Sequence, residues 1–228
     1  MASSNCAAPI KGRVIRIVKL DVCGNPVTGT TGMQVVHQAF TQISQDPQYE
    51  DGTEFFERTA SGAICVNQKD DPVLKRMNLT IDFCSVNVTA MAFMASAREL
   101  TVGAPTTGFG MAVSEGSPAN RYSLEVWQEV AGSGACSASG LQQYIYNAWP
   151  NCGSSKFGGY SVELARSTMQ IMSETRAVSA TASVGWLAKN GSSTWLPAGT
   201  TLTGTEHWLW NITTVAPPTA ACDPLAAL

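Results

Sequence analysis

The chain has 228 residues, of which 44% are hydrophobic, 14% charged and 8% aromatic. Its net charge of −3 and its isoelectric point of about 5.4 argue against a basic surface that grips nucleic acid of any sequence. The sequence has no run of 18 apolar residues, so we expect no transmembrane helix. The length predicts one elaborated domain at residues 1–215 and a loose, flexible tail at residues 216–228.

The first ten residues lack the basic start and apolar core of a secretory signal peptide, which predicts a cytoplasm-like compartment. The chain has seven cysteines, which lie far apart and form no Cys-x-x-Cys pair. Free buried thiols are one interpretation. A Cys136–Cys152 disulfide that closes a surface loop is the alternative, and it would need an oxidising environment outside the cell.

The first half of the chain predicts five strands. Residues 13–20 are apolar on both faces, as in a strand that is buried on two sides. Residues 76–84 alternate between apolar and polar side chains, which is typical of a strand with one buried face. The other predicted strands are residues 33–44, 53–59 and 63–67, and residues 45–52 are predicted to form a loop.

One helix is predicted after the fifth strand. Asn87 is a suitable N-cap for a helix over residues 88–98, and Gly103 marks the point beyond which the chain cannot continue as a helix. This segment is apolar almost all round, which is usual for a helix that is buried on more than one side. In a domain with a single helix, the second side can belong to another subunit.

Strands also dominate the second half. They are predicted at residues 122–130, 141–149, 160–172, 176–187 and 206–213, with a bulge near Arg166. Short strands at this spacing, separated by turn signals, indicate a mainly β protein. We therefore expect an antiparallel β-sandwich or barrel with one flanking α-helix.

The sequence offers little catalytic chemistry. Its two histidines, His37 and His207, belong to no metal-binding or catalytic motif, and neither a nucleophile elbow nor a P-loop occurs. Glu125 and Glu129 share a strand face, as the acid pair of a glycosidase would, but two solvated carboxylates on an exposed face are the simpler interpretation. We expect no enzyme activity, no metal and no cofactor.

Six tryptophans could suggest a sugar-binding surface. Trp186, Trp208 and Trp210 lie at strand positions that are predicted to point inward, so core packing is the favoured interpretation. Trp149, next to a proline at a strand end, is predicted to be the most exposed of the six.

Four stretches resemble, in order, the major tail proteins of long-tailed, siphovirus-type phages that infect actinobacteria. The first two are RVIRIVKLDVCGNPV and SGAICVNQKDDPVLKRMNLTIDFCSVNVTAMAFM. The next are YSLEVWQEV, followed by GACS and GLQQYIYNAWPNC, and then YSVELARSTMQIMSETRAVSATASVGW. The resemblance covers residues 12–188 and rests on the order and spacing of the stretches, since none of them carries chemistry.

The resemblance implies a β-sandwich subunit that assembles with itself into six-membered rings, which stack into a hollow tail tube. Its other partners would be the tape-measure protein, the tail-tip proteins and the tail-terminator protein. DNA would pass through the lumen without specific binding, and no membrane would be involved. The protein would be assembled in the bacterial host cytoplasm and would reside in the virion.

The resemblance also implies three kinds of contact surface. The 45–52 loop, with Asp46, Tyr49, Glu50 and Asp51, would reach the neighbouring ring. The helix would lie at a seam between subunits through Val88, Met91, Phe93 and Met94. A neutral lumen face, on which polyanionic DNA slides rather than sticks, would come from Gln34, Gln38 and Gln42 or from Ser179, Thr181 and Ser183.

Two other functions remain open from the sequence. One is a different ring-forming virion component, such as a tail terminator, a head-to-tail connector or a capsid-decoration protein. The other is a carbohydrate-binding module or secreted enzyme, which the missing signal peptide and the missing acid pair disfavour. We expect the first class to form single rings that do not stack, and the second to bind glycans.

Overall fold

The computed structural model describes residues 9–27, 34–85, 87–103, 107–116, 120–133, 140–163, 168–176, 189–190, 193–194 and 205–220. These residues form fourteen strands and one helix. The elements up to the helix are β1 (Pro9–Leu20), β2 (Gln34–His37), β3 (Phe40–Glu50), β4 (Glu54–Arg58), β5 (Ile64–Lys69), β6 (Val73–Phe83) and α1 (Val88–Met94). They are followed by β7 (Arg98–Val102), β8 (Thr107–Ala112), β9 (Arg121–Val130), β10 (Tyr144–Ser161), β11 (Thr168–Thr175), β12 (Lys189–Asn190), β13 (Ser193–Thr194) and β14 (Leu209–Thr213).

One large antiparallel sheet organises the fold. Its strand order is β2-β1-β9-β10-β11-β6-β3, and β14 also pairs with β10. The first half of β10 lies between β9 and β14, whereas its second half pairs with β11. Register shifts interrupt β10 between Trp149 and Cys152 and again between Gly153 and Lys156. Because such irregularities bend a strand, β10 turns a corner and lets one sheet supply both layers of a sandwich.

The main core lies between these two layers. Ile15, Ile17 and Leu124 come from one layer and pack in the same cluster as Leu79, Ile81 and Ile171 from the other. A hydrogen bond of 3.1 Å from Trp149 Nε1 to Gln45 Oε1 also joins the layers. The predicted mainly β sandwich with one helix is therefore confirmed.

Strand β1 is buried on both faces, as predicted. All its side chains from Val14 to Val18 are buried. Ile15 and Ile17 face the main core, whereas Val14 belongs to a second apolar cluster on the other side of the sheet. Strand β6 follows the predicted alternation, since Met77, Leu79, Ile81 and Phe83 are buried and the residues between them are only partly covered.

Two predicted strands are each divided in the structure. The strand predicted at residues 33–44 is split, because the chain crosses after His37 from one layer to the other and β3 begins at Phe40. The strand predicted at 160–172 is also wrong, since β10 ends at Ser161 and pairs with β11, which begins at Thr168. Arg166, the predicted bulge, and residues 177–187 of the next predicted strand lie outside the described residues.

Helix α1 begins as predicted and ends earlier. The Asn87 side chain accepts a hydrogen bond of 2.9 Å from Ala90 N, so Asn87 is the N-cap. Helix α1 stops after Met94, and Ser96 has a φ of 52°, in the left-handed region that interrupts a right-handed helix. Residues 95–97 leave the helix through a turn, and β7, which begins at Arg98, makes a hairpin with β8.

The tryptophan and tail predictions are partly wrong. Trp149 is only 5% exposed, because its side chain lies in the main core between the two layers, whereas Trp210 on β14 is 47% exposed. Trp208 is half-buried against the main core, and Trp186 lies outside the described residues. Residues 216–220 are not a loose tail, since Ala220 packs against the second apolar cluster.

Candidate functional site

The described residues contain no group of histidine, cysteine and acidic side chains that could hold a metal ion. The His37 ring nitrogen Nε2 lies 3.1 Å from the carbonyl oxygen of Ser85, and the His207 Nδ1 lies 2.9 Å from the hydroxyl of Thr175. Both histidines thus bridge neighbouring segments of the fold. In the described part of the chain, no helix has the length and apolar character needed to cross a membrane.

The Thr175 hydroxyl is placed to donate a hydrogen bond to the neutral ring of His207. This hydroxyl accepts a hydrogen bond of 2.8 Å from Met77 N, so its own proton is available to His207 Nδ1. Nδ1 can accept that proton only while it carries none itself. Burial lowers the pKa of His207, which also favours the neutral ring.

Glu125 and Glu129 do not form an acid pair. Glu125 is fully buried, and it accepts two hydrogen bonds from the guanidinium of Arg16, which is also buried. Glu129 is near the surface, with ion pairs of 3.4 Å to Lys11 and 3.2 Å to Arg13. The interpretation as two solvated carboxylates is therefore wrong for Glu125, because β9 is buried on both faces.

Two aromatic side chains complete the environment of this buried ion pair. The Tyr146 hydroxyl donates to Glu125, and the Arg16 guanidinium lies 5.9 Å from the centroid of the Trp127 ring. Burial lowers the pKa of Arg16, but the charge and hydrogen bonds of Glu125 outweigh it and the pKa is raised overall. Because each charge is paired and hydrogen-bonded, the two ions are tolerated in the interior on the second face of the sheet.

The largest exposed feature is an arm, defined as residues 49–74. It consists of the end of β3, the hairpin of β4 and β5, and the start of β6. Every residue from 53 to 73 is exposed. The arm is therefore a β-ribbon that extends beyond the sandwich and adds nothing to its core.

The arm corrects the predicted 45–52 loop. Asp46, Tyr49 and Glu50 belong to strand β3, where they pair with Asn78, Leu74 and Val73. Asp51 follows directly after the end of β3. The segment is therefore the base of a longer projection, which continues through β4, the turn at residues 59–63 and β5.

Both faces of the arm carry large apolar side chains. The register places Phe55 and Val66 on one face, since Phe55 pairs with Gln68 and Val66 with Glu57. Phe56 and Ile64 lie on the opposite face, where the Arg58 guanidinium lies 5.1 Å from the centroid of the Phe56 ring. All four apolar side chains are exposed in the single chain.

The arm is also the most acidic part of the chain. Residues 50–71 contain six acidic and only two basic side chains, a net charge of −4. The whole chain has a net charge of −3, so the rest of the protein carries +1. The arm and the body are therefore complementary in charge.

The three predicted lumen glutamines do not share a face. Gln34 lies in β2, Gln38 lies between β2 and β3, and Gln42 lies in β3 in the other layer. The alternative set of Ser179, Thr181 and Ser183 lies outside the described residues. The prediction of a glutamine face is wrong because the strand of residues 33–44 is divided.

A different polar face is present on β3, β6 and β11. The register aligns nine outward side chains in three rows: Gln42, Asp82 and Gln170; Ser44, Thr80 and Met172; Asp46, Asn78 and Glu174. All nine are exposed or partly exposed. We call this set the polar face; it contains three carboxylates and no basic side chain, although Arg76 lies 3.7 Å from Glu174 at its margin.

Helix α1 is covered largely by its own chain. Met91 and Met94 are fully buried in the main core, so their predicted place at a seam between subunits is wrong. Val88 and Phe93 are partly exposed and stay candidates for such a seam. Lys19 Nζ lies 5.9 Å from the centroid of the Phe93 ring, so a lysine of the same chain lies beside this partly exposed side chain.

Cys152 is a free, buried thiol, which agrees with the interpretation as free buried thiols and not with the alternative of a disulfide to Cys136. Cys152 is buried, its Sγ lies 3.8 Å from the carbonyl oxygen of Trp149, and burial raises the pKa of the thiol. Cys136 lies outside the described residues. Of the other described cysteines, Cys23, Cys65 and Cys84 are free and exposed.

Comparison of the chain with models of known protein families finds no match. Comparison with curated proteins likewise finds no match.

Proposed function

We propose that this protein is the major tail subunit of a long-tailed phage, and that it assembles into stacked six-membered rings that form the tail tube. The arm is the observation that carries this proposal. Contiguous exposed apolar side chains on a soluble domain mark a surface that another molecule covers. Here two exposed apolar side chains lie on each face of a ribbon that contributes nothing to the core of its own chain.

The simplest partner that would cover the exposed apolar side chains of the arm is a second copy of the chain. The arm carries a net charge of −4 and the rest of the chain +1, so attraction between an arm and the body of a neighbour is favoured. A contact between two different surfaces is heterologous, and repetition of it generates rings or open-ended filaments. A stacked tube requires contacts of this kind.

The polar face supplies a surface for the lumen. Amide and hydroxyl groups accompany Asp46, Asp82 and Glu174 on this face. A basic lining would bind the phosphates of DNA and release counterions, which would hold the DNA in place. Carboxylates repel phosphates, so a tube lined by this face would let DNA pass without binding it.

The remaining parts of the proposal follow from the tube. A tape-measure protein would occupy the lumen before DNA ejection, and tail-tip and tail-terminator proteins would contact the two ends. The subunit would be assembled in the bacterial host cytoplasm and would reside in the virion. Val88 and Phe93 are candidates for the lateral contacts within a ring.

Negative-stain electron microscopy of the purified chain over a concentration series tests the proposal. Hollow tubes, or rings with six-fold end views that stack, are the expected result. If the chain stays monomeric, the experiment is repeated with tail-tip extract as the initiator, and a continued absence of tubes would overturn the proposal. Closed rings that never stack would favour a tail terminator or head-to-tail connector instead.

A further inference from the structure

A cleft with a volume of about 360 Å³ lies at one end of the main core, between the two layers of the sandwich. Strand β3 forms one wall, and strands β9 and β10 form the other. The residues that matter for its chemistry are three aromatic side chains, Phe40, Trp149 and Trp208, and four amides, Gln42, Gln45, Gln128 and Asn147.

The lining of the cleft selects a neutral ligand. None of the described residues that line it carries a charge, so it offers no counter-charge to a phosphate, a carboxylate or an ammonium group. Its polar groups are chiefly amides, and each amide can both donate and accept hydrogen bonds. Hydroxyl groups have the same dual capacity, which makes a polyhydroxylated molecule the best complement.

Three of these amides are held in place by contacts within the cleft. Asn147 Nδ2 donates to Gln128 Oε1 at 3.3 Å, and Gln45 Oε1 accepts from Trp149 Nε1 at 3.1 Å. Each contact uses one donor or acceptor of an amide, and each amide has further capacity toward a ligand. A site in which polar groups are oriented before binding loses less entropy when the ligand arrives.

The aromatic side chains complement the apolar face of a sugar ring. A pyranose ring has an apolar face of C–H groups and an edge of hydroxyls, and aromatic rings offer a flat apolar surface. Trp208 is only half-buried, so part of its indole is accessible. The volume lies near the lower end of the range for ligand pockets, roughly 300–1,000 Å³, and suits one small ring better than a peptide segment.

We infer that this cleft binds a single sugar residue of a neutral carbohydrate. The inference does not rest on the tube proposal, since the cleft involves no residue of the arm and shares only Gln42 with the polar face. A ligand of this size with few contacts should bind with a dissociation constant on the order of 1 mM.

Saturation-transfer difference NMR on the full, unassembled chain tests the inference. The probes are glucose, galactose, mannose and N-acetylglucosamine, with toluene as an apolar probe. We expect transfer to the ring C–H protons of at least one sugar. Loss of one hydrogen bond in Gln128→Ala should weaken binding by roughly 3- to 10-fold, and Trp208→Ala should abolish the transfer.

Gln68→Ala is the matched control, because Gln68 is an exposed glutamine on the arm, away from the cleft. It should bind sugar as the wild type does. Thermal melts show whether Trp208→Ala remains folded. If Trp208→Ala unfolds, the comparison of sugar binding between wild type and Gln128→Ala decides the test. Failure of every sugar, transfer to toluene alone, or equal binding by wild type and Gln128→Ala would overturn the inference, whatever electron microscopy shows about tubes.

Discussion

Substitution of the two arm phenylalanines should prevent assembly without destabilising the subunit. Phe55 is 52% and Phe56 is 46% exposed, and a phenylalanine has roughly 200 Å² of surface to bury, so each leaves roughly 100 Å² for a partner to cover. At about 25 cal/mol per Å², full coverage of both rings contributes about 5 kcal/mol. If a neighbour covers less than half of that surface, the contribution is about 2 kcal/mol.

These free energies translate into a change in the concentration at which assembly begins. Since about 1.4 kcal/mol corresponds to a factor of ten, Phe55→Ser combined with Phe56→Ser should raise that concentration between roughly 30-fold and roughly 3,000-fold. Both side chains are exposed in the single chain, so the free energy of unfolding of the subunit should change by less than about 0.5 kcal/mol per site.

Sedimentation over a concentration series, together with thermal melts, measures the two effects separately. Leu141→Ser combined with Val162→Ser is the matched control, because these side chains are at least as exposed but lie outside the arm. The control should assemble as the wild type does. Unchanged assembly of the arm variant, or a loss of assembly that the control shares, would refute the reasoning.

Three further predictions concern the stability of the subunit. Glu125→Ala should lower the free energy of unfolding by about 3–5 kcal/mol in a denaturant titration, because Arg16 would remain as a buried charge without its carboxylate, whereas Glu129→Ala at the surface should cost less than about 1 kcal/mol. Since burial lowers the pKa of His207, its neutral form contributes stability that is present above about pH 6.5 and lost as pH falls through the lowered pKa; a Tm that drops no more between pH 7 and pH 5 in wild type than in His207→Gln would contradict this. Asn87→Ala should cost about 1 kcal/mol through loss of the helix N-cap, and an unchanged midpoint of unfolding would exclude that role.

Local patterns in the sequence predict those elements whose environment depends on neighbours along the chain. The alternation of β6 and the N-cap at Asn87 are of this kind, because side-chain period and capping chemistry act over a few residues. The two-sided burial of β1 was predictable too, since its apolar, β-branched side chains at residues 14, 15, 17 and 18 fall on both faces of the strand. In each case one segment contains all the information that is needed.

Sequence patterns fail to predict the burial of a side chain where a segment distant in the chain covers that side chain. The polar positions of β9 predict a solvated face, but Arg16 from β1 and Tyr146 from β10 bury Glu125 and satisfy its charge. No feature of residues 121–130 identifies these partners. The burial of Trp149 has the same origin, because Gln45 of β3, which accepts a hydrogen bond from the Trp149 indole, lies 104 residues earlier in the chain.

The strands of the arm's hairpin were predicted at residues 53–59 and 63–67, but its base was missed for a different reason. Its base contains Pro47 and Gly52, residues that normally indicate turns. Pro47 nevertheless lies within β3, which among the described residues pairs only with β6. A proline is tolerated on such an edge because it has no N–H to leave unpaired. Pro47 therefore marks an edge strand that continues into an exposed ribbon, and not the turn that a proline normally indicates.

The polar face that we propose for the lumen is negative, whereas the glutamine face predicted from the sequence is neutral. A neutral face would have been indifferent to DNA, whereas Asp46, Asp82 and Glu174 give the polar face a negative sign in every copy. In a six-membered ring these charges would repeat around the lumen and then along it. At physiological ionic strength repulsion acts over roughly 8–10 Å, enough to keep phosphates from direct contact with the wall. Such a lining would lower friction for a polyanion by holding it near the axis, with a layer of water and counterions between the DNA and the protein.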